Sequence, residues 1–383
     1  MANEVGPRAL PQSVLREVTD RKLFDEVIAR KRVTRAELAT ATGISKPTVS
    51  EAVRRLTEGG LLAATGLQET GRRGRVGTFY ELGTAAGWVL AVEVDQSGVQ
   101  AWSADLGGRQ LHHREQPPGA AGDTHALVGA LRAVVTEAID AAGPDRGPLR
   151  AVAISMANPV HPVTHEVIPL PDSPFPEGLL NPGEALAGLV HAPVLVDNDV
   201  NLAALAEQRA GAAVDAASFA YVYVGAGLGL GLYIGDRLIR GAHGLAGEIG
   251  YLPGAGPGTL AAELTARGFG RSDAPSTDVS AIIRVLDRDD GPALEVLSAV
   301  IARAVASVNA VVDPELVLLG GPVGTHRALL EPVRDAVAAL SPGPTRLAYG
   351  TLGVLAPLHG ATHLALDHAR AAAIKKSSAV AER

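Results

Sequence analysis

Lys46, Thr48, Ser50, Glu51 and Arg54 share one side of a helical repeat whose other side is Val49, Val53 and Leu56. Side chains of this kind suit the base edges and phosphates of duplex DNA. Arg72, Arg73 and Arg75 stand on a glycine-rich stretch, 69–77. Three guanidinium groups on a thin turn suit a narrow minor groove, where the potential is most negative. Asp197, Asn198, Asp199 and Asn201 follow the apolar residues 194–196. A carboxylate accepts hydroxyl hydrogens, and a side-chain amide both donates and accepts. Strand ends in α/β sheets are the usual ligand position. Asp199 or Asn201 could equally cap the following helix, and the two roles are compatible. Other chemistry is excluded. The chain has no cysteine, so thiolate zinc sites, iron–sulfur clusters, disulfides and cysteine nucleophiles are ruled out. His359 and His363 have i,i+4 spacing, but no glutamate base lies between them. Neither a metal site nor a cofactor is expected.

The elements that must position these groups follow from periodicity. Apolar residues at Val14, Val18, Leu23, Phe24, Val27, Ile28, Leu38, Ile44, Val49, Val53 and Leu56 predict three short helices. Thr34-Arg35-Ala36-Glu37 fits a capping box that starts the second. Gly43 ends it, Ser45 caps the third, and Pro47 is tolerated in its first turn. Gly59-Gly60 stops the third helix. Residues 61–64 and 78–82 read as two strands flanking the arginine turn. A three-helix unit with a tight turn before its third helix and a hairpin after it is a winged helix-turn-helix, in which the third helix enters the major groove.

After residue 83 the pattern becomes α/β. Strands are predicted at 88–94, 151–156, 194–196, 219–224, 228–234 and 316–319. Helices are predicted at 124–142, 201–210, 291–312, 326–340 and 360–373. Residues 1–12 read as a loose arm, and the tail from Lys375 reads as frayed. The 383 residues are 47% hydrophobic and 20% charged, which suits packed cores and two or three domains. The net charge of −7 divides unevenly. Residues 1–80 hold 14 Lys+Arg against 9 Asp+Glu, and the remainder hold 20 against 32. A basic head on an acidic body points to a polyanion as the partner of the head. Glu4, Arg8, Arg16 and Glu17 interrupt the N-terminal region, and no run of about 18 apolar residues occurs. No membrane association is expected, and the expected location is cytoplasmic.

The sequence from Arg35 to Ser50, with its wing, resembles the DNA-binding region of ROK-family transcriptional repressors. Their wings usually end Gly-Arg-Gly-Arg-Pro, and Val76 stands where that proline would be. Four places in the body extend the resemblance, so that it covers about residues 14–373. Asp95-Gln96-Ser97-Gly98 stands at the family kinases' Asp-x-Gly-Gly-Thr phosphate loop but keeps one glycine and lacks the threonine, which fits a structural hairpin. Asp197-Asn198-Asp199 resembles the sugar site, where the aspartate matching Asp199 is the kinases' general base. The alternate glycines of Gly225-Ala226-Gly227-Leu228-Gly229-Leu230-Gly231 could admit a phosphate or serve tight hairpin packing, and the kinase threonine is absent at Ala226. Gly247-Glu248-Ile249-Gly250-Tyr251 resembles the family's Gly-Glu-Ile-Gly-His signature. Glu248 matches the sugar-binding glutamate, and Tyr251 replaces a histidine that contacts sugar and a structural zinc. Of the family's zinc loop no thiolate remains. Its sugar-binding glutamate falls on Ala261, with Glu263 as a substitute if the register shifts. Asn158 stands where a glycine lets the sugar come close. Asp313 to Gly321 resembles the late strand and Gly-Gly turn by the nucleotide site.

The resemblance implies a two-lobed, actin-like (ribonuclease-H-like) α/β body at 83–383 after a winged helix-turn-helix at 1–82. The small lobe would comprise about 83–198 plus helix 360–373, and the large lobe about 199–359. The function implied is a repressor of palindromic operators, working as a homodimer or dimer of dimers. A sugar or sugar phosphate held by Asn158, Asn198, Asp199, Glu248, Tyr251 and Glu263 would modulate it. Arg35, Ser45, Lys46, Pro47, Thr48, Ser50, Arg54, Arg55, Arg72, Arg73 and Arg75 would meet DNA. No catalytic residue is assigned. The alternatives are a sugar kinase with an appended head, and a regulator that has lost its effector.

Overall fold

The computed structural model describes residues 11–67, 77–95, 98–117, 124–170, 180–272, 276–288 and 290–380. Arg72, Arg73, Arg75 and almost all of the expected N-terminal arm lie outside them.

Helices α1 (Gln12–Arg30), α2 (Arg35–Thr42) and α3 (Lys46–Glu58) pack with strands β1 (Val33–Thr34), β2 (Leu62–Leu67) and β3 (Thr78–Leu82). The capping box forms as its sequence requires: the Glu37 amide donates to Thr34 Oγ1, and the Thr34 amide donates to Glu37 Oε2 at 2.7 Å. Gly43 ends α2 at φ 71°, a left-handed conformation that glycine adopts without a Cβ clash. Leu23, Phe24, Val27, Leu38, Val49, Val53 and Leu56 are fully buried between the three helices. Each such side chain contributes about 1.5–3 kcal/mol. The two-residue β1 adds a third strand, giving the order β1-β3-β2.

The body has two five-stranded sheets. The first contains β4 (Trp88–Asp95), β5 (Gly98–Asp105), β6 (Gln110–Gln116), β7 (Leu149–Met156) and β8 (Val194–Asn198) in the order β6-β5-β4-β7-β8. Helix α4 (Thr124–Ala142) covers one of its faces. The short α5 (Pro182–Ala185) precedes β8, and α6 (Asp199–Ala210) leaves its end. The second sheet contains β9 (Ser218–Val224), β10 (Leu228–Ile234), β11 (Arg237–Ile239), β12 (Leu316–Gly320) and β13 (Leu347–Tyr349) in the order β11-β10-β9-β12-β13. Around it lie α7 (Leu260–Leu264), α8 (Val279–Asp287), α9 (Gly291–Val312), α10 (Gly321–Gly324) and α11 (Leu330–Ala338). Counted from its first strand, each sheet runs 3-2-1-4-5. In each, the first three strands pair antiparallel and the last two join in parallel. The two lobes are therefore one topology used twice.

Helix α9 is long and apolar enough to cross a membrane, but it carries Glu295 and Arg303 and buries Leu297, Val300, Ile301, Val305 and Val308 in the core of the second lobe. The last helix, α12 (Ala356–Val380), overruns the expected 360–373 at both ends and is not frayed from Lys375. It packs on α6, β4 and β7, and then reaches α1 and α3 of the head. Its final turns carry serines rather than an apolar stripe, so periodicity did not extend to them. Burial of Ser377 and Ser378 against the head holds them in place.

Candidate functional site

Ser45 caps α3: the Thr48 amide donates to Ser45 Oγ at 3.4 Å, with Pro47 in the first turn. Lys46, Pro47, Thr48, Glu51 and Arg54 are exposed, and Ser50 is half-buried, so the helix presents a polar face beside its buried Val49, Val53 and Leu56. Arg54 is bound on its own helix, donating to Glu51 (3.1 Å) and Glu58 (2.7 Å). A phosphate must compete with both carboxylates for it. Arg35 lies at the start of α2 with its guanidinium 5.0 Å from the Tyr80 ring centre, and Arg32 lies 4.3 Å from that of Phe79, at the base of the wing.

Arg55 does not belong to the DNA-facing set. It is buried and donates twice to the buried Asp20 of α1, from Nε at 3.1 Å and from a terminal nitrogen at 2.6 Å. Ser378 of α12 donates to the same carboxylate at 2.8 Å, and Ser377 donates to the Arg55 carbonyl at 2.9 Å. Neighbouring residues on a helix are about 100° apart, so Arg54 faces solvent and Arg55 faces the core. The signal available in the sequence was Asp20, an acid in step with Val27 on the apolar stripe of α1.

The second site lies between the lobes, at the junction of β8 and α6. The helix cap is Asn198, rather than Asp199 or Asn201: the Val200 and Asn201 amides donate to its Oδ1 at 3.0 and 3.1 Å. Its Nδ2 donates to Asp199 Oδ1 at 3.0 Å and reaches the carbonyls of Ala157 and Asn158. Asn198 therefore spends its amide on the scaffold and orients Asp199. Asp199 Oδ1 also accepts from the Val200 amide at 2.7 Å, and the residue lines the cleft. Asn201 lines the same cleft, and its buried Oδ1 has no hydrogen-bond partner, an arrangement that calls for a donor from a ligand or water.

Glu248 faces them across the cleft. It is placed there by Gly247 at φ 103°, whose peptide lies so close to β10 that a Cβ would strike the Leu230 carbonyl. The Leu230 amide donates to the Gly247 carbonyl at 2.8 Å. Behind the cleft Arg240 donates to Asp197 at 2.9 Å, fastening the segment that precedes Glu248 to β8. The cleft encloses about 60 Å³. Burial pushes the carboxyls of Asp199 and Glu248 up to about 7.

The other expected ligand residues lie elsewhere. Asn158 is buried and does not line the cleft. Tyr251 is 49% exposed and does not line the cleft. Glu263 staples its own loop: it accepts from the Ala255 amide at 2.9 Å and from Arg303 at 2.7 Å, and these partners hold its carboxyl below the usual range. In the glycine-rich segment, a Cβ on Gly229 would lie 2.9 Å from Val200, and one on Gly231 would lie 2.5 Å from Ala204. These two glycines admit α6 against β10 rather than a phosphate. Asp95 pairs with Gly98 across the β4–β5 hairpin, as the structural reading of that loop expects.

The chain matches the sequence pattern of the ROK family over residues 90–263 and that of a winged helix-turn-helix DNA-binding domain over residues 16–63. The N-acetylmannosamine kinase of Salmonella typhimurium is 30% identical over 280 residues, covering 68% of this chain and 91% of the kinase. The xylose repressor of Bacillus spizizenii is 24% identical over 247 residues, covering 63% of this chain and 62% of the repressor. Among solved structures, a ROK family transcriptional regulator homologous to the E. coli MLC protein aligns with a TM-score of 0.72 over 95% of this chain and 99% of its own, at 19% identity. That likeness is one of fold. The chain spans 32% of the length of the bifunctional NanE/NanK enzymes of Brucella that it also matches.

Proposed function

This chain belongs to the ROK family, and from that premise we propose that it is a transcriptional repressor whose two-lobed body binds a sugar or sugar phosphate. The observation that carries the reading is the exposed polar face of α3, capped by Ser45 and presented by a winged helix-turn-helix on a ROK body. Helix α3 enters the major groove with Lys46, Thr48 and Ser50 towards base edges, and Arg72, Arg73 and Arg75 enter the adjoining minor groove. Two heads of a homodimer, or of a dimer of dimers, read half-sites about 34 Å apart on a palindromic operator. Such a regulator works in the cytoplasm, where the DNA is.

The cleft supports a polyhydroxylated effector. Asp199, Asn201 and Glu248 offer acceptors around one small cavity. Phosphoryl transfer is not assigned, because it depends on positioned donors around the phosphates. Here Gly229 and Gly231 are spent on packing α6, and Ala226 supplies no hydroxyl.

Two experiments test the reading. Replacing Arg72, Arg73 and Arg75 with alanine is expected to weaken operator binding and to lower the slope of log affinity against log salt by about 3. Unchanged affinity and slope in an anisotropy titration refute the wing assignment. In an ATP-consumption assay over a panel of hexoses no turnover is expected, and turnover would restore the kinase reading.

A further inference from the structure

A second cavity, of about 230 Å³, opens between the lobes beside the sugar cleft, sharing Asp199, Tyr223 and Ala157 with it. Its charged lining is all acidic: Glu93, Asp95 and Asp199, with no Lys, Arg or His among the described residues that form it. Glu93 is the unusual member. It lies on β4 with only 6% of its surface exposed, and its Oε2 is buried with no hydrogen-bond partner. Opposite it in the β4–β7 register is Ser155, whose buried Oγ also has no partner. Orphaned buried polar atoms are rare because each costs about 1–3 kcal/mol, more when charged. A carboxyl group in the wall of an all-acidic cavity suits a donor that carries positive charge.

We propose that this interlobe cavity binds a small organic ammonium compound. Three features select that class. Tyr221 and Tyr223 add aromatic surface to the lining, which suits an organic cation better than a hydrated one. Apolar walls at Val94, Val279, Pro322 and Val354 suit a carbon skeleton rather than a hydrated ion. Among the described residues no group of three His, Asp or Glu side chains is arranged to hold a metal ion, which would need several oxygens at once. No Lys or Arg among the described lining residues offers a charge to the phosphates of a nucleotide. Burial and then the neighbouring Asp95 and Asp199 raise the Glu93 carboxyl well above its usual range, which favours the protonated form in the ligand-free protein, and a bound ammonium would favour the ionised form.

The test is calorimetric titration and thermal unfolding of the full chain at pH 8 and matched ionic strength. The probes are 1,4-diaminobutane, its neutral analogue 1,4-butanediol, magnesium chloride alone, and ATP. The diamine is expected to bind saturably and to raise the unfolding midpoint, and the diol is expected to do neither. Glu93→Gln is expected to weaken the diamine at least about tenfold, the size of one lost charged hydrogen bond. Equal stabilisation by the diol overturns the proposal. So does stabilisation by magnesium or ATP without the diamine, or unchanged diamine affinity in the variant. If Glu93→Gln does not fold, the diamine–diol comparison on the unaltered chain decides alone. None of these outcomes depends on operator binding or on a sugar in the neighbouring cleft.

Discussion

Asp199 and Glu248 face one cleft, and burial raises both carboxyls to about 7. An acid whose pKa is higher folded than unfolded stabilises the fold while protonated. That contribution is complete below the unfolded value near 4 and is lost as pH rises through about 7. The ligand-free unfolding midpoint is therefore expected to fall between pH 5 and 8. Asp199→Asn should flatten that fall and raise the midpoint at pH 8. Calorimetric scans across this range check it, and an unaltered pH profile in the variant would refute it. Asp199 and Glu248 were legible as residues because their motifs are local strings. Their geometry was not. Asn198 lines the cleft and is also the helix cap, a role that falls to it because a side chain at a strand–helix junction can accept from amides one turn ahead. Its charge makes Arg55 a candidate DNA contact in the sequence, whereas direction on a helix is visible only when the apolar stripe is complete. Asp20, its partner, is 35 positions away.

Helix α6 shows what glycine does at the scale of an element. It lies against β10 because Gly229 and Gly231 leave room for Val200 and Ala204. Gly231→Val is expected to cost about 1–3 kcal/mol, the usual price of overpacking. The shift would appear in the denaturant midpoint with an unchanged m-value. A midpoint equal to that of the unaltered chain would show that α6 can move away freely. The spacing of these glycines allowed either phosphate binding or close packing, and only the neighbour across the strand distinguished them. Head elements were more legible. The capping box, the Ser45 cap and the Gly43 stop depend on residues within four positions of one another, so local chemistry decides them. The two-residue β1 escaped notice, since its pairing with β3 spans about 46 positions and two residues carry no period.

At the scale of the whole molecule, α12 connects what the sequence keeps apart. It begins against the sheet of the first lobe and ends on α1 and α3, where Ser377 and Ser378 bond to Arg55 and Asp20. Ending the chain at Ala373 would expose this ion pair at the head–body junction. Hydrogen exchange of α1 and α3 amides is expected to quicken by about tenfold or more, with β4 and β7 amides unaffected, because local opening is governed by the contacts each unit keeps. Uniform protection in the truncated chain would mean that the last turns hold nothing. The doubled 3-2-1-4-5 topology has the same character: it is plain in the strand order and left no repeat in the residues, since each sheet asks only for apolar positions. The sequence by itself determined the classes of the parts: a basic winged helix-turn-helix head, an α/β body, and motifs of the ROK family. Periodicity, caps and motifs act over a few residues, so they survive in one dimension. Tertiary structure alone decided that Arg55 is buried, that Glu263 staples a loop, that the tail is a helix docked on the head, and that Glu93 faces a cavity without a partner. Each of these depends on groups on different elements that meet only when the chain has folded.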